Sequence, residues 1–173
     1  MTGPVNIHRA PKSNHNDSLK EQYLSVVRMV EELHRQFLHV MDIELKKLKI
    51  EDINNVQSLI IFHLADDVLT VSDFISRGYY LGSNITYNLK KLAEAGYVAP
   101  QRSEHDRRSV RIQLTDKGRQ LRQQLDHAFN QQVSALSDVA AAPELDAAAS
   151  LLNRLGRFWQ LFQEEHGGLR RHY

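Results

Sequence analysis

The sequence predicts a mainly α-helical protein with one small β-hairpin. Three observations carry that expectation. Apolar residues recur at intervals of three or four near both ends of the chain, from Leu19 to Leu48 and from Leu145 to Phe162. Between them, Ile85, Leu89 and Leu92 mark a shorter helix, and Val110, Ile112 and Leu114 alternate with Arg111 and Gln113 as a half-buried strand would. Glycine and proline fall at the boundaries of these segments, at Gly78, Gly82, Gly96 and Pro143.

The elements follow in order. Residues 1–16 are rich in Asn, His, Pro and Lys and read as a flexible arm. Asp17 or Ser18 can cap a long helix carrying Leu19, Tyr23, Val26, Val30, Leu33, Phe37, Met41, Leu45 and Leu48. That stripe runs for about eight turns, too long to be covered within a small domain, so it calls for partner helices. A second helix is expected to begin at Glu51–Asp52. Val56, Leu59, Ile60, Phe62, His63 and Leu64 make it apolar on most sides, as a central buried helix would be.

Thr70 with Asp73 forms a variant of the capping box in front of a short helix, Val71–Arg77. Gly78 stops that helix, and a turn through Tyr79–Gly82 leads into the helix opened by Ser83. Two helices joined by a short glycine-containing turn make a helix-turn-helix unit. Gly96 ends the Ser83 helix. Tyr97 and Val98 open a strand in which Pro100 is compatible only with a sheet edge. The return strand runs to Leu114, giving a two-stranded hairpin, or wing, over 97–114. Thr115 caps the next helix, which carries Leu121, Leu125, Phe129, Val133 and Leu136. The last helix begins near Pro143 and presents Leu145, Ala148, Leu152, Leu155, Trp159 and Phe162 as a coiled-coil-like seam. Gly167–Gly168 ends it, leaving a tail over 167–173.

Composition narrows the function. The 173 residues include no cysteine, which excludes disulfides, thiol catalysis and iron–sulfur ligation. No apolar run approaches membrane-spanning length, and the first residues lack the apolar core of a secretory signal, so a cytoplasmic location is expected. There is no glycine-rich phosphate loop, HExxH or G-x-S-x-G, and no enzymatic activity or cofactor is expected. The nine histidines show no compact ligand spacing, so no metal site is expected.

Charge is distributed unevenly. Residues 76–122 hold ten Lys/Arg and four Asp/Glu, a net of +6, while the rest of the chain carries −5. The basic segment coincides with the Ser83 helix and the hairpin. Amides and hydroxyls read base edges and cations hold phosphates. Ser83, Asn84, Thr86, Tyr87 and Asn88 are therefore candidates for major-groove contact, and Arg77, Lys90 and Lys91 for phosphate contact. Arg107 and Arg108 lie near the hairpin tip, and Arg102 and Arg111 flank it as further backbone contacts. A helix able to enter a groove, followed by a basic hairpin, reads as a winged helix-turn-helix.

The stretch LTVSDFISRGYYLGSNITYNLKKLAEAGYVAPQRSEHDRRSVRIQLTDKG resembles the MarR family of bacterial transcription regulators. The resemblance rests on Leu92-Ala93-Glu94-Ala95-Gly96-Tyr97-Val98, on Arg102 followed by Asp106-Arg107-Arg108, and on Leu114-Thr115-Asp116-Lys117-Gly118. In element order it covers about 18–165. The GYYLGSN turn departs from the commoner family turn and is similar to that of LdtR-type regulators of cell-envelope remodelling.

The resemblance implies a homodimer with a helical dimerisation domain, formed by 17–50 and 120–166, and a winged helix-turn-helix DNA-binding domain over 51–119. Leu19, Tyr23, Leu152, Leu155, Trp159 and Phe162 would lie at the dimer interface. Two lobes would bind a pseudo-palindromic double-stranded operator. Asp106 would brace Arg108 while Arg107 enters the minor groove, or the two arginines would exchange roles. A small-molecule effector would sit in a cleft lined by Phe37, Met41, Leu59 and Phe62, although each of these residues taken alone reads first as ordinary core. Three other readings stay open: a winged helix that docks another protein, a DNA binder without sequence preference, and a small-molecule carrier or enzyme.

Overall fold

The computed structural model describes residues 15–64, 69–76, 82–102 and 110–166. The elements run α1 (His15–Lys47), α2 (Asn55–Leu64), β1 (Leu69–Thr70), α3 (Val71–Ser76), α4 (Gly82–Glu94), β2 (Val98–Arg102), β3 (Val110–Leu114), α5 (Asp116–Leu136) and α6 (Ala142–His166). The chain forms two compact units, divided within α5 between Gln123 and Gln124. No helix among the described residues is long and apolar enough to cross a membrane.

The first unit holds most of the core. Ile60, Ile61, Leu64, Phe74, Ile85 and Leu92 are fully buried, and Tyr97 and Leu121 nearly so. Each such aliphatic or aromatic side chain contributes about 1.5–3 kcal/mol by leaving water. Only the C-terminal end of α1 joins this core, through Met41 and Leu45. Asn55 fastens that end to α2, donating to the Leu38 carbonyl at 3.2 Å and to Asp42 Oδ2 at 3.0 Å. Further up α1 the stripe is exposed or only partly covered: Leu19 is 56% and Leu33 55% exposed, and Tyr23, Val26 and Val30 are half-buried.

The second helix starts later than the acidic pair at 51–52 suggests. Asn54 caps it in a reciprocal box: its Oδ1 accepts from the Gln57 N–H at 2.9 Å, while Gln57 Oε1 accepts from the Asn54 N–H at 3.0 Å. Asp52 is thereby left outside the helix and takes a different role, described below. The box at Thr70 forms as its spacing predicts. Asp73 Oδ2 accepts from the Thr70 N–H at 2.7 Å, and Thr70 Oγ1 accepts from the Asp73 N–H at 3.1 Å.

The sheet has three strands in the order β1-β3-β2, where the sequence suggests two. The added strand pairs Leu69 with Ile112 and Thr70 with Arg111, antiparallel. It ties the base of the wing to the start of α3. Pro100 sits in β2, at the sheet edge, where its missing N–H costs no ladder bond.

In the second unit, α6 has no buried residue. Leu145, Leu152, Phe158, Leu161 and Phe162 are all between 47% and 59% exposed. Phe162 stacks on His166 with ring centroids 4.1 Å apart. At the start of the helix, Glu144 Oε2 accepts from the Ala141 N–H at 2.8 Å.

Candidate nucleic-acid interface

The candidate interface is built on α4. Its buried arc is Ile85, Asn88, Leu89 and Leu92, four positions that fall on one side of a 3.6-residue helix. Its outer face carries Asn84, Thr86, Tyr87, Lys90 and Lys91, all exposed, with the Tyr87 ring 60% exposed. Asn88 is the correction here. It is only 9% exposed, and its amide donates to the Asn84 carbonyl at 2.9 Å, four residues back along the same helix. An amide turned into its own helix cannot read a base edge, so Asn88 is a satisfied polar residue of the lobe. Ser83 lies in the first turn of α4, and its side chain is not described.

Glu94 closes the outer face. Lys91 Nζ lies 2.8 Å from its Oε2 and Lys90 Nζ 4.0 Å from its Oε1. The hydrogen bond and charge of Glu94 raise the Lys91 pKa, and the Lys91 hydrogen bond and charge lower that of Glu94. The i, i+3 spacing of this acid from Lys91 is the sequence signal of the pair.

On the wing, Arg111 is exposed on β3 while Ile112 and Leu114 point inward, as the alternation requires. The Arg102 backbone pairs with Val110 in the ladder, and its side chain is not described. Arg77, Asp106, Arg107 and Arg108 lie outside the described residues, as does most of the GYYLGSN turn.

The junction beneath α4 and the wing is built from residues far apart in sequence. Gly96 takes φ 79°, which closes α4: its N–H donates to the Ala93 carbonyl at 3.1 Å and that of Tyr97 to Leu92 at 2.9 Å. The Tyr97 ring is 1% exposed, and its hydroxyl donates to Asp52 Oδ1 at 2.8 Å. Lys117 Nζ donates to Asp52 Oδ2 at 2.7 Å and to the Ala95 carbonyl at 2.9 Å, and lies 4.0 Å from the Tyr97 ring centroid. Thr115 Oγ1 donates to the Gly96 carbonyl at 2.7 Å and accepts from the Gly118 N–H at 3.1 Å. One hydroxyl thus caps α5 and seals the end of α4.

Burial of Tyr97 and its bond to the Asp52 carboxylate push the phenol up. For Asp52, partial burial raises the pKa, but hydrogen bonds from Lys117 and Tyr97 and the Lys117 charge outweigh it, so the net shift is downward from 3.8. A folded-state pKa below the unfolded value means stability that is present above pH 3.8 and lost as pH falls through the folded value. Asp52→Asn is therefore expected to flatten the acid limb of stability against pH, read by urea unfolding between pH 2 and about 5. An unchanged limb would assign the acid sensitivity to other carboxylates.

Of the four cleft candidates, Met41 is 1% and Leu59 8% exposed, so both are core. Phe37 is 38% exposed on α1, and Phe62 is half-buried on α2. Burial lowers the pKa of His63, beside Phe62. No group of three or more His, Asp or Glu among the described residues could hold a metal ion. The interface candidates Leu19, Leu152 and Phe162 are about half-exposed, and Tyr23, Leu155 and Trp159 are partly covered.

Comparison with known proteins agrees with this architecture. A family described as a winged helix DNA-binding domain matches residues 53–118, which span α2 through the start of α5. The exopolysaccharide II synthesis transcriptional activator ExpG of Rhizobium meliloti (strain 1021) is 37% identical over 138 residues, covering 79% of this chain and 71% of that protein. The structure of Streptococcus pneumoniae FabT in complex with DNA superimposes with a TM-score of 0.65 at 22% identity, covering 81% of this chain and 99% of that one. A MarR protein from Peptoclostridium difficile superimposes with a TM-score of 0.67 at 18% identity, over 95% of this chain and 99% of that one.

Proposed function

This chain is a DNA-binding transcriptional regulator of the MarR family, and from that premise we propose that it works as a homodimer on a pseudo-palindromic operator. The observation that carries the proposal is the outer face of α4, where Asn84, Tyr87, Lys90 and Lys91 stand exposed on a helix whose other side is locked into the core. Such a helix can enter a major groove as a rigid body. Asn84 near its N-terminal end would read a base edge, and the lysines nearer its C-terminal end would hold phosphates. The wing, with Arg102, Arg107, Arg108 and Arg111, would follow the backbone and enter the neighbouring minor groove, Asp106 bracing one arginine.

Dimerisation is supported by the apolar residues that α1 and α6 leave at the surface. We assign 17–50 and 120–166 to the dimerisation domain and 51–119 to the DNA-binding domain. Two-fold symmetry would place the half-sites about one helical turn apart. A regulator of this kind acts on the chromosome, in the cytoplasm. A small-molecule effector would act between α1 and α2 near Phe37 and Phe62. Because Met41 and Leu59 are core, such a site requires these helices to part, which is how a ligand could shift the population of DNA-competent dimers.

The test is binding to genomic fragments, with footprinting to define the operator. Asn84→Ala is then expected to weaken operator binding by about 5- to 150-fold, equivalent to about 1–3 kcal/mol, with little change on random duplex. Equal weakening on both would assign Asn84 to backbone contact and remove it as a sequence reader.

A further inference from the structure

Glu94 is the one acid in α4, and its position has no explanation in helix stability. It stands at the C-terminal end, where the helix dipole disfavours negative charge. Its partners Lys90 and Lys91 precede it, and Lys before Glu is the weaker order for a helical ion pair. All three side chains are between 45% and 75% exposed, a setting in which ion pairs add little to folding. Yet the carboxylate engages both lysines of the face that the DNA-binding reading assigns to phosphate.

We propose that Glu94 is a specificity-determining residue that suppresses sequence-independent binding by α4, an inference that rests on α4 being the DNA-reading helix. Two effects act together. Each lysine must exchange a carboxylate for a phosphate before it contributes to binding. Glu94 itself repels any phosphate brought close to it. Off the operator the helix meets DNA in many registers, held by charge alone, and every register that brings Glu94 to the backbone is disfavoured. On the operator, base contacts fix one register, in which the carboxylate can lie clear of the phosphates while the lysines reach them. A repulsive element aimed at the wrong partner raises specificity without adding a contact to the right one.

The experiment measures full-length protein binding to its footprinted operator and to a random duplex of equal length, across a salt series. Glu94→Gln keeps the size and helix propensity of the side chain and removes its charge. Glu51→Gln removes an exposed acid that lies off α4 and reports the effect of net charge alone. Glu94→Gln is expected to tighten random-duplex binding about tenfold and operator binding less than about threefold. The slope of log K against log salt on random duplex should steepen by about 1–2, as one or two further phosphates are engaged. Equal tightening on both DNAs, no change on either, or the same change from Glu51→Gln would each overturn the proposal. Wild-type protein that binds no DNA at all would instead overturn the reading of α4 on which it rests.

Discussion

Phe162→Glu is expected to yield a folded monomer whose operator binding falls by about 10²-fold or more. Phe162 is 52% exposed in the single chain; its ring stacks on His166, one turn further along α6, and lies 6.2 Å from the Phe158 ring, one turn back. The substitution therefore removes little from the fold of one subunit, and far-ultraviolet circular dichroism should be unchanged. In a dimer, the same position would bury a carboxylate in an apolar seam, at a cost far above what the seam regains. Each lobe would then bind its half-site without the effective concentration supplied by the second. Sedimentation and operator titration check both halves of the expectation. A dimer that binds normally would place the subunit interface away from this part of α6.

Gly118→Ala is expected to destabilise the first unit by about 3 kcal/mol, the upper end for overpacking. A Cβ at this position would stand 2.1 Å from the Tyr97 carbonyl oxygen and 3.1 Å from Leu114 Cδ2. The carbonyl cannot give way easily, because it also accepts the Thr115 N–H at 3.0 Å. The melting temperature should fall by about 6–12 °C for a chain of this size. A fall corresponding to less than about 0.5 kcal/mol would show that the junction relaxes around an added methyl. Gly118 is thus needed for close approach of α5 to the end of α4, whereas Gly96 is needed for its φ of 79°.

Periodicity made the helices legible, because burial selects every third or fourth residue and the spacing survives in the sequence. The same rule places Asn88 on the buried arc, three residues from Ile85 and four before Leu92. Its polarity suggested the outer face instead, and the amide's bond to Asn84 is what makes an inward position affordable. Strand β1 could not be read because it is two residues long and its partner Ile112 lies far along the chain. The Asp52–Tyr97–Lys117 cluster was hidden for a related reason: each residue is ordinary where it stands, and only the fold brings them together. The acidic pair at 51–52 looked like a helix start, but Asn54 outcompeted it by offering a reciprocal bond with Gln57.

The seal at Thr115 bears on how such a protein can diverge. The Thr115 N–H meets the Tyr97 carbonyl at 3.0 Å, so the two ends of the wing are fastened to each other at its root. Lys117 and Gly118 lock the same point from the other side. For a closed loop, doubling the length costs only about 0.6 kcal/mol in closure entropy. A longer or shorter connection between β2 and β3 would therefore change the closure entropy of the wing only slightly. If the wing meets DNA as proposed, the root would keep the fold while the sequence between the strands changed, so operators could be exchanged over evolutionary time without rebuilding the lobe.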